Sequence, residues 1–198
     1  MKTLSHYGLH AGSPVAVALL LAAAPYVALR VYLSGVMHAA EAEAAAPSAM
    51  FLATLVVVGV VAPAVFLAHT VRRLLRDRET FELRALLEVY FALVVVFAVG
   101  YAVLQAGAAE AAFEGMPVVW DAIPASDAAH VSRHHAVFGN ALYLSVVTMT
   151  TVGYGDLVPI SWAAKALTGA QGLIGIGFVG LVLGQYFSSC IACSPQGR

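Results

Sequence analysis

Thr150-Thr151-Val152-Gly153-Tyr154-Gly155-Asp156 stands directly after a short apolar segment, Ala136 to Met149, and shortly before a long one, Ile160 to Phe187. The preceding segment is too short to cross the hydrocarbon core of a bilayer, which takes roughly 20 helical residues. Two glycines in the seven residues that follow weaken any continuation of the helix. Irregular backbone at membrane depth is tolerated only where protein or a water-filled cavity surrounds it. The pair therefore predicts a re-entrant loop: a short helix that enters the membrane and an extended strand that leaves it.

The rest of the chain provides the membrane setting. Of 198 residues, 61% are hydrophobic and 11% charged, and the mean hydropathy is +0.86. A soluble domain needs far more charge on its surface. Four runs are long enough to span as helices: Pro14 to Gly35, Ser48 to Thr70, Ala85 to Gly107 and Ile160 to Phe187. The formal net charge of -1 gives no global basic field for nucleic acid. Lys2, the first apolar run and Ala22-Ala23-Ala24 have the outline of a signal peptide. The run continues past Pro25, so a retained span is expected.

Charge position sets the orientation. The connection from His69 to Arg84 carries Arg72, Arg73, Arg76, Arg78 and Arg84, five of the ten Lys and Arg residues, and is expected to be cytoplasmic. Both termini then lie inside. The connection Met37 to Pro47, with Glu41 and Glu43, falls outside. So does Ala108 to His135, with Glu110, Glu114, Asp121 and Asp127, and with Arg133 as its only formal positive charge. No internal repeat is visible, so each chain supplies one re-entrant loop. Ala39 to Ala46 reads as a helical cap or a plain loop, and Ser194 to Arg198 as a short tail.

Thr151 to Gly155, followed by Asp156, resembles the selectivity filter of the potassium channel family, Thr-Val-Gly-Tyr-Gly. Phe138 to Thr150 is similar to that family's pore helix, and the resemblance extends over about 85–187. It implies an all-α membrane protein with four transmembrane helices per subunit, a re-entrant pore helix and filter, and a homotetrameric pore in the lipid bilayer. It divides the chain into a two-helix unit with a basic linker at 1–84, a pore domain at 85–187 and a short cytoplasmic tail at 188–198. The location implied is the cell membrane, with the pore loop entering from outside. The function implied is passive conduction of K+, with no enzymatic activity, no nucleic acid and no small-molecule substrate beyond permeant ions.

The chemistry of that string is physical. K+ loses hydration water in a narrow pore, and backbone carbonyls aimed at the axis replace it. An ordinary strand points successive carbonyls to opposite sides, so aiming them together needs conformations that Gly153 and Gly155 adopt without penalty. By resemblance, the carbonyls of Thr151, Val152, Gly153 and Tyr154, with the Thr151 hydroxyl, form the ion sites. Val152 and the Tyr154 ring point away from the axis. Asp156 sits at the outer mouth, with Tyr143 on the pore helix as its donor. Where some family members place a glutamate behind the filter, this chain has Val147. The pore helix's C-terminal partial charge is expected to face a central cavity.

Other residues admit functional and plain readings. Gly175, in a glycine-rich last span, is a candidate gating hinge or a close-packing residue, and Gln171 faces a cavity or a neighbouring helix. Arg72, Arg73 and Arg76 cluster beyond a span with Asp77 and Glu79 interleaved, which favours headgroup anchoring over voltage sensing. Arg30 is expected to snorkel outward, and Glu88 to pair with Arg84. His130, His134 and His135 read as solvated loop histidines before they read as a metal or pH site. Cys190 and Cys193 read as free thiols, with zinc, redox or palmitoylation roles as alternatives. Rival functions are a weakly selective cation channel, a potassium uptake transporter subunit and a membrane redox protein.

Overall fold

The structure, a computed structural model, describes residues 14–38, 49–76, 83–107, 110–118 and 127–192. Glu41, Glu43, Asp77, Arg78, Glu79, Asp121 and Cys193 lie outside these residues, as do the segments Ala39–Ala46 and Ser194–Arg198. The side chains of Arg30, Arg73, Arg76, Arg84, His130 and Cys190 lie outside the described set as well.

The architecture is mostly helical. Helix α1 is Pro14–His38, α2 is Ala49–Val56, α3 is Ala62–Arg76, α4 is Leu83–Gly107, α5 is Asp127–Met149 and α6 is Trp162–Ala192. A π-helical turn, Val57–Val61, joins α2 to α3 as one rod. Its cause is Pro63, which has no N–H to give to the carbonyl four residues back. The ladder slips by one residue, and Ala62 donates to the Val57 carbonyl instead.

Among the described residues, three helical stretches are long and apolar enough to cross a membrane: Ala53–Arg72, Ala85–Gly107 and Trp162–Gly184. For α1, the described apolar part is Val15–Leu29, within a helix of 25 residues. Helix α4 is the most enclosed of the three, with 72% of its apolar stretch buried against 11% for α6. It packs on α1, α3, α5 and α6. Two glycine contacts bring the first helices in close. A Cβ at Gly59 would lie 2.8 Å from Pro25 Cγ, and one at Gly100 would lie 2.5 Å from Val60 Cγ2. The core runs through Phe97, Tyr101, Val103, Phe113 and Met149.

Helix α5 departs from expectation. It starts at Asp127, not near Ala136, and has 23 residues. Hydropathy missed its first two turns because they are polar. An acidic first residue complements the helix dipole, and Ala128 and Ala129 favour helix. The histidines expected in a solvated loop are therefore helical. His134 is buried, on the face that also buries Val137, Ala141 and Leu144, while His135 is exposed.

Candidate functional site: the filter strand and its frame

Helix α5 ends at Met149, and the chain turns at once into the strand quoted above. The turn is closed by backbone bonds from the strand to the end of α5. Thr150 N–H donates to Val146 O at 3.0 Å and Thr151 N–H to Thr148 O at 3.1 Å. Val152 N–H and Gly153 N–H both reach Val147 O, at 2.9 and 3.3 Å. The Thr150 hydroxyl also donates to Val146 O, at 2.8 Å. The carbonyls of residues 146–148, which a helix end leaves without intrahelical partners, are thus taken by the strand that follows.

The strand's backbone alternates. Thr151, Gly153 and Gly155 have φ of 59°, 53° and 79°. Sequence reasoning assigned this conformation to the two glycines. It missed Thr151, the one side-chain-bearing residue with positive φ among the described residues. A β-branched residue there is a genuine outlier, and such conformations cost about 1–3 kcal/mol and concentrate at functional sites. Positive φ recurs at every second position, and the amides of 152 and 153 face α5.

Residues 151–156 are exposed on the single chain. Val152 is 52% exposed and Tyr154 71%. The Tyr154 ring stacks on Tyr143, with centroids 6.4 Å apart and planes within 5°. Desolvation, and after it the neighbouring Asp156, push the Tyr143 phenol above its ordinary value. Val147 is buried behind the strand.

A frame of side chains unremarked in the sequence holds this strand. Gln105, wholly buried near the end of α4, clamps the outer loop. Its Nε2 donates to Met116 O at 3.2 Å and Pro117 O at 3.1 Å, and its Oε1 accepts from Ala112 N–H and Phe113 N–H, both at 3.0 Å. All four hydrogen-bonding positions of the amide are used. The clamped loop carries β1, Phe113–Glu114, which pairs antiparallel with β2, Val158–Pro159. Ile160 N–H adds a bond to Ala112 O at 3.0 Å. Gly115, with φ of 85°, rests on the Asp156 carbonyl, where a Cβ would come within 2.5 Å. Arg133 Nη1 reaches Val118 O at 3.3 Å, tying the same loop to α5. A lone amide at the end of an apolar run was the available signal for Gln105.

A second buried network joins α4, α5 and α6. Gln171 Nε2 donates to Ser145 O at 3.0 Å and Ser145 Oγ at 2.7 Å. The Ser145 hydroxyl donates to Val94 O at 2.7 Å, and Tyr101 donates its hydroxyl proton to Gln171 Oε1. Gln171 therefore faces the neighbouring helices of its own chain. Gly175, one turn further on, is buried against α5, and a Cβ there would sit 2.7 Å from Met149 O.

No group of three or more His, Cys, Asp or Glu residues able to hold a metal ion occurs among the described residues. His134 lies beneath α1, where the Tyr26 hydroxyl approaches its carbonyl at 3.5 Å and the Tyr26 ring meets Phe138 at 5.8 Å.

Residues 118–191, which hold α5, the strand and nearly all of α6, match the profile of a family described as ion channel. A two pore potassium channel of rice, Oryza sativa subsp. japonica, is 61% identical over 44 residues. This segment is similar to potassium channels. That match covers 22% of this chain and 13% of the rice protein. A cyclic nucleotide-gated potassium channel of Mesorhizobium japonicum is 48% identical over 44 residues, 22% of this chain and 12% of that one. A potassium voltage-gated channel, subfamily KQT member 1, of Mus musculus is 40% identical over 47 residues, 24% of this chain and 7% of that one. The matches thus span about an eighth or less of these potassium channels' length. No solved structure gives a significant match.

Proposed function

We propose that this chain is one of four identical subunits of a potassium-selective channel that conducts K+ passively across the cell membrane. One observation carries the reading: positive φ at every second residue of 151–155, with the Val152 and Gly153 amides turned back onto Val147 O. With those amides engaged on α5, the carbonyls of the segment are the groups left to meet an ion. Carbonyls of Thr151, Val152, Gly153 and Tyr154, with the Thr151 hydroxyl, then replace the water lost by a dehydrated K+. One strand supplies a quarter of each ring, and the exposure of 151–156 on the single chain is what a fourfold assembly would cover. The sparse burial of α6, an apolar helix throughout its span, supports the same requirement.

Helix α1 is the fourth span of each subunit, and α1 to α3 pack outside the pore domain. The arginines from Arg72 onward support a cytoplasmic location for both termini and a loop that enters from outside. The Tyr143 contact with Asp156 and the Tyr154 stack brace the outer end of the filter.

The test is a joint measurement on purified protein: the mass of the assembly by native mass spectrometry, and ion efflux from proteoliposomes. Four copies with K+ efflux far above Na+ efflux are expected. A smaller assembly contradicts the tetramer, and equal fluxes contradict selectivity.

A further inference from the structure

A cavity of about 280 Å³ lies between α3, α4 and α6, away from the filter. Leu67, Val89 and Leu93 form its buried floor, and Ile174 and Phe178 of α6 form one wall. Small residues leave the space: Ala64 and Ala68 on one side and Gly177 on the other, where an added Cβ would meet nothing within 4 Å. The exposed residues of the lining are Ala68, Arg72 and Gly177, which mark its mouth. Arg72 is the single charged lining residue and stands at the end of the Ala53–Arg72 span, where hydrocarbon gives way to headgroups.

We propose that this cavity binds the acyl chain of an anionic amphiphile, with its acidic headgroup on Arg72. An apolar cavity of this size holds water poorly, because water needs two or more polar partners. A hydrocarbon tail meets no such requirement and gains by filling the space. A cation at the rim selects an acidic head over a neutral one, and guanidinium suits both carboxylate and phosphate. Free fatty acids and anionic phospholipids share this chemistry. The tail would lie on Ile174 and Phe178, beside Gly175, whose backbone abuts the end of α5. Occupancy therefore favours the packed position of α6. The proposal rests on the membrane setting alone and not on ion selectivity.

The experiment uses the full chain in phosphatidylcholine nanodiscs with two photoactivatable 16-carbon probes, an acid and the matching alcohol, and maps adducts by mass spectrometry. Adducts of the acid are expected on α3 around Ala64 to Arg72 and on α6 around Ile174 to Leu181. Arg72→Gln should lower labelling by the acid about fivefold, the worth of one basic residue near a membrane surface, and leave the alcohol unchanged. Ala68→Phe should fill the mouth and abolish both. Gly177→Leu serves the same purpose should Ala68→Phe fail to assemble. Competition by palmitate against phosphatidylglycerol assigns the headgroup source. Adducts spread evenly over the lipid-facing helices, or labelling indifferent to the filling variants, overturn the proposal. So does a neighbouring copy seated in the cavity, seen as loss of assembly in both filling variants without any probe adduct in the wild type.

Discussion

Gly175 of α6 lies flush against Met149 at the end of α5, so that a Cβ at 175 would sit 2.7 Å from the Met149 carbonyl oxygen and 3.4 Å from its Cα. The obstructing atoms are backbone at the end of α5, just before Thr150 to Asp156, and they cannot rotate away. Gly175→Ala should push α6 off α5 and cost about 1–3 kcal/mol, as overpacking does. A lowered melting temperature of the detergent-solubilised protein checks it. Gly172→Ala, with open space at its Cβ, is the control and should change little. As a hinge, Gly175 would act through this same contact.

Gln171 bridges Tyr101 on α4 to Ser145 on α5. Gln171→Leu keeps most of the volume but removes the bonds to the Tyr101 hydroxyl and to Ser145. The expected loss is about 1–2 kcal/mol. Tyr101→Phe combined with it should lose less than the sum, because both variants break the same bond. Additive losses in thermal unfolding would show that the two groups act separately.

Gln105 serves four backbone groups of the outer loop at once. Gln105→Leu should release that loop, and with it the β1–β2 pairing that borders the filter. Amide exchange at 112–116 should accelerate about tenfold or more, while amides in the middle of α5 stay protected. Uniform acceleration across the chain would instead mean global destabilisation.

Gly155 has φ of 79° and open space at its Cβ position. Gly155→Ala therefore acts through backbone conformation and not through a clash, at about 1–2 kcal/mol of strain. K+ flux should be abolished while the assembly elutes at its wild-type size. Wild-type conductance in this variant would remove the strand from the conduction path.

Three of the four expected spans were legible because hydropathy and length suffice for them, and the runs from Ala85 and Ile160 correspond closely to α4 and α6. The strand was legible because its residue types are tied to one backbone conformation. Three features were not. The polar first half of α5 carries no hydropathy signal, so its true start and the burial of His134 were missed. The π turn at Val57–Val61 depends on where Pro63 falls in the ladder, which composition hides. The Gln105 clamp and the β1–β2 pair depend on contacts between distant residues, and a single polar residue in an apolar run does not name its partners. Thr151 is the sharpest case, since its type argues against the conformation it holds, and the bonds from residues 150–153 to α5 hold it there.

The central claim is tested most directly by the reversal potential of purified protein in a planar bilayer, with K+ on one side and Na+ on the other. A value close to the K+ equilibrium potential is expected. Clear current with a reversal potential near zero would contradict it: the pore would stand, and the strand from Thr151 to Gly155 would not select K+.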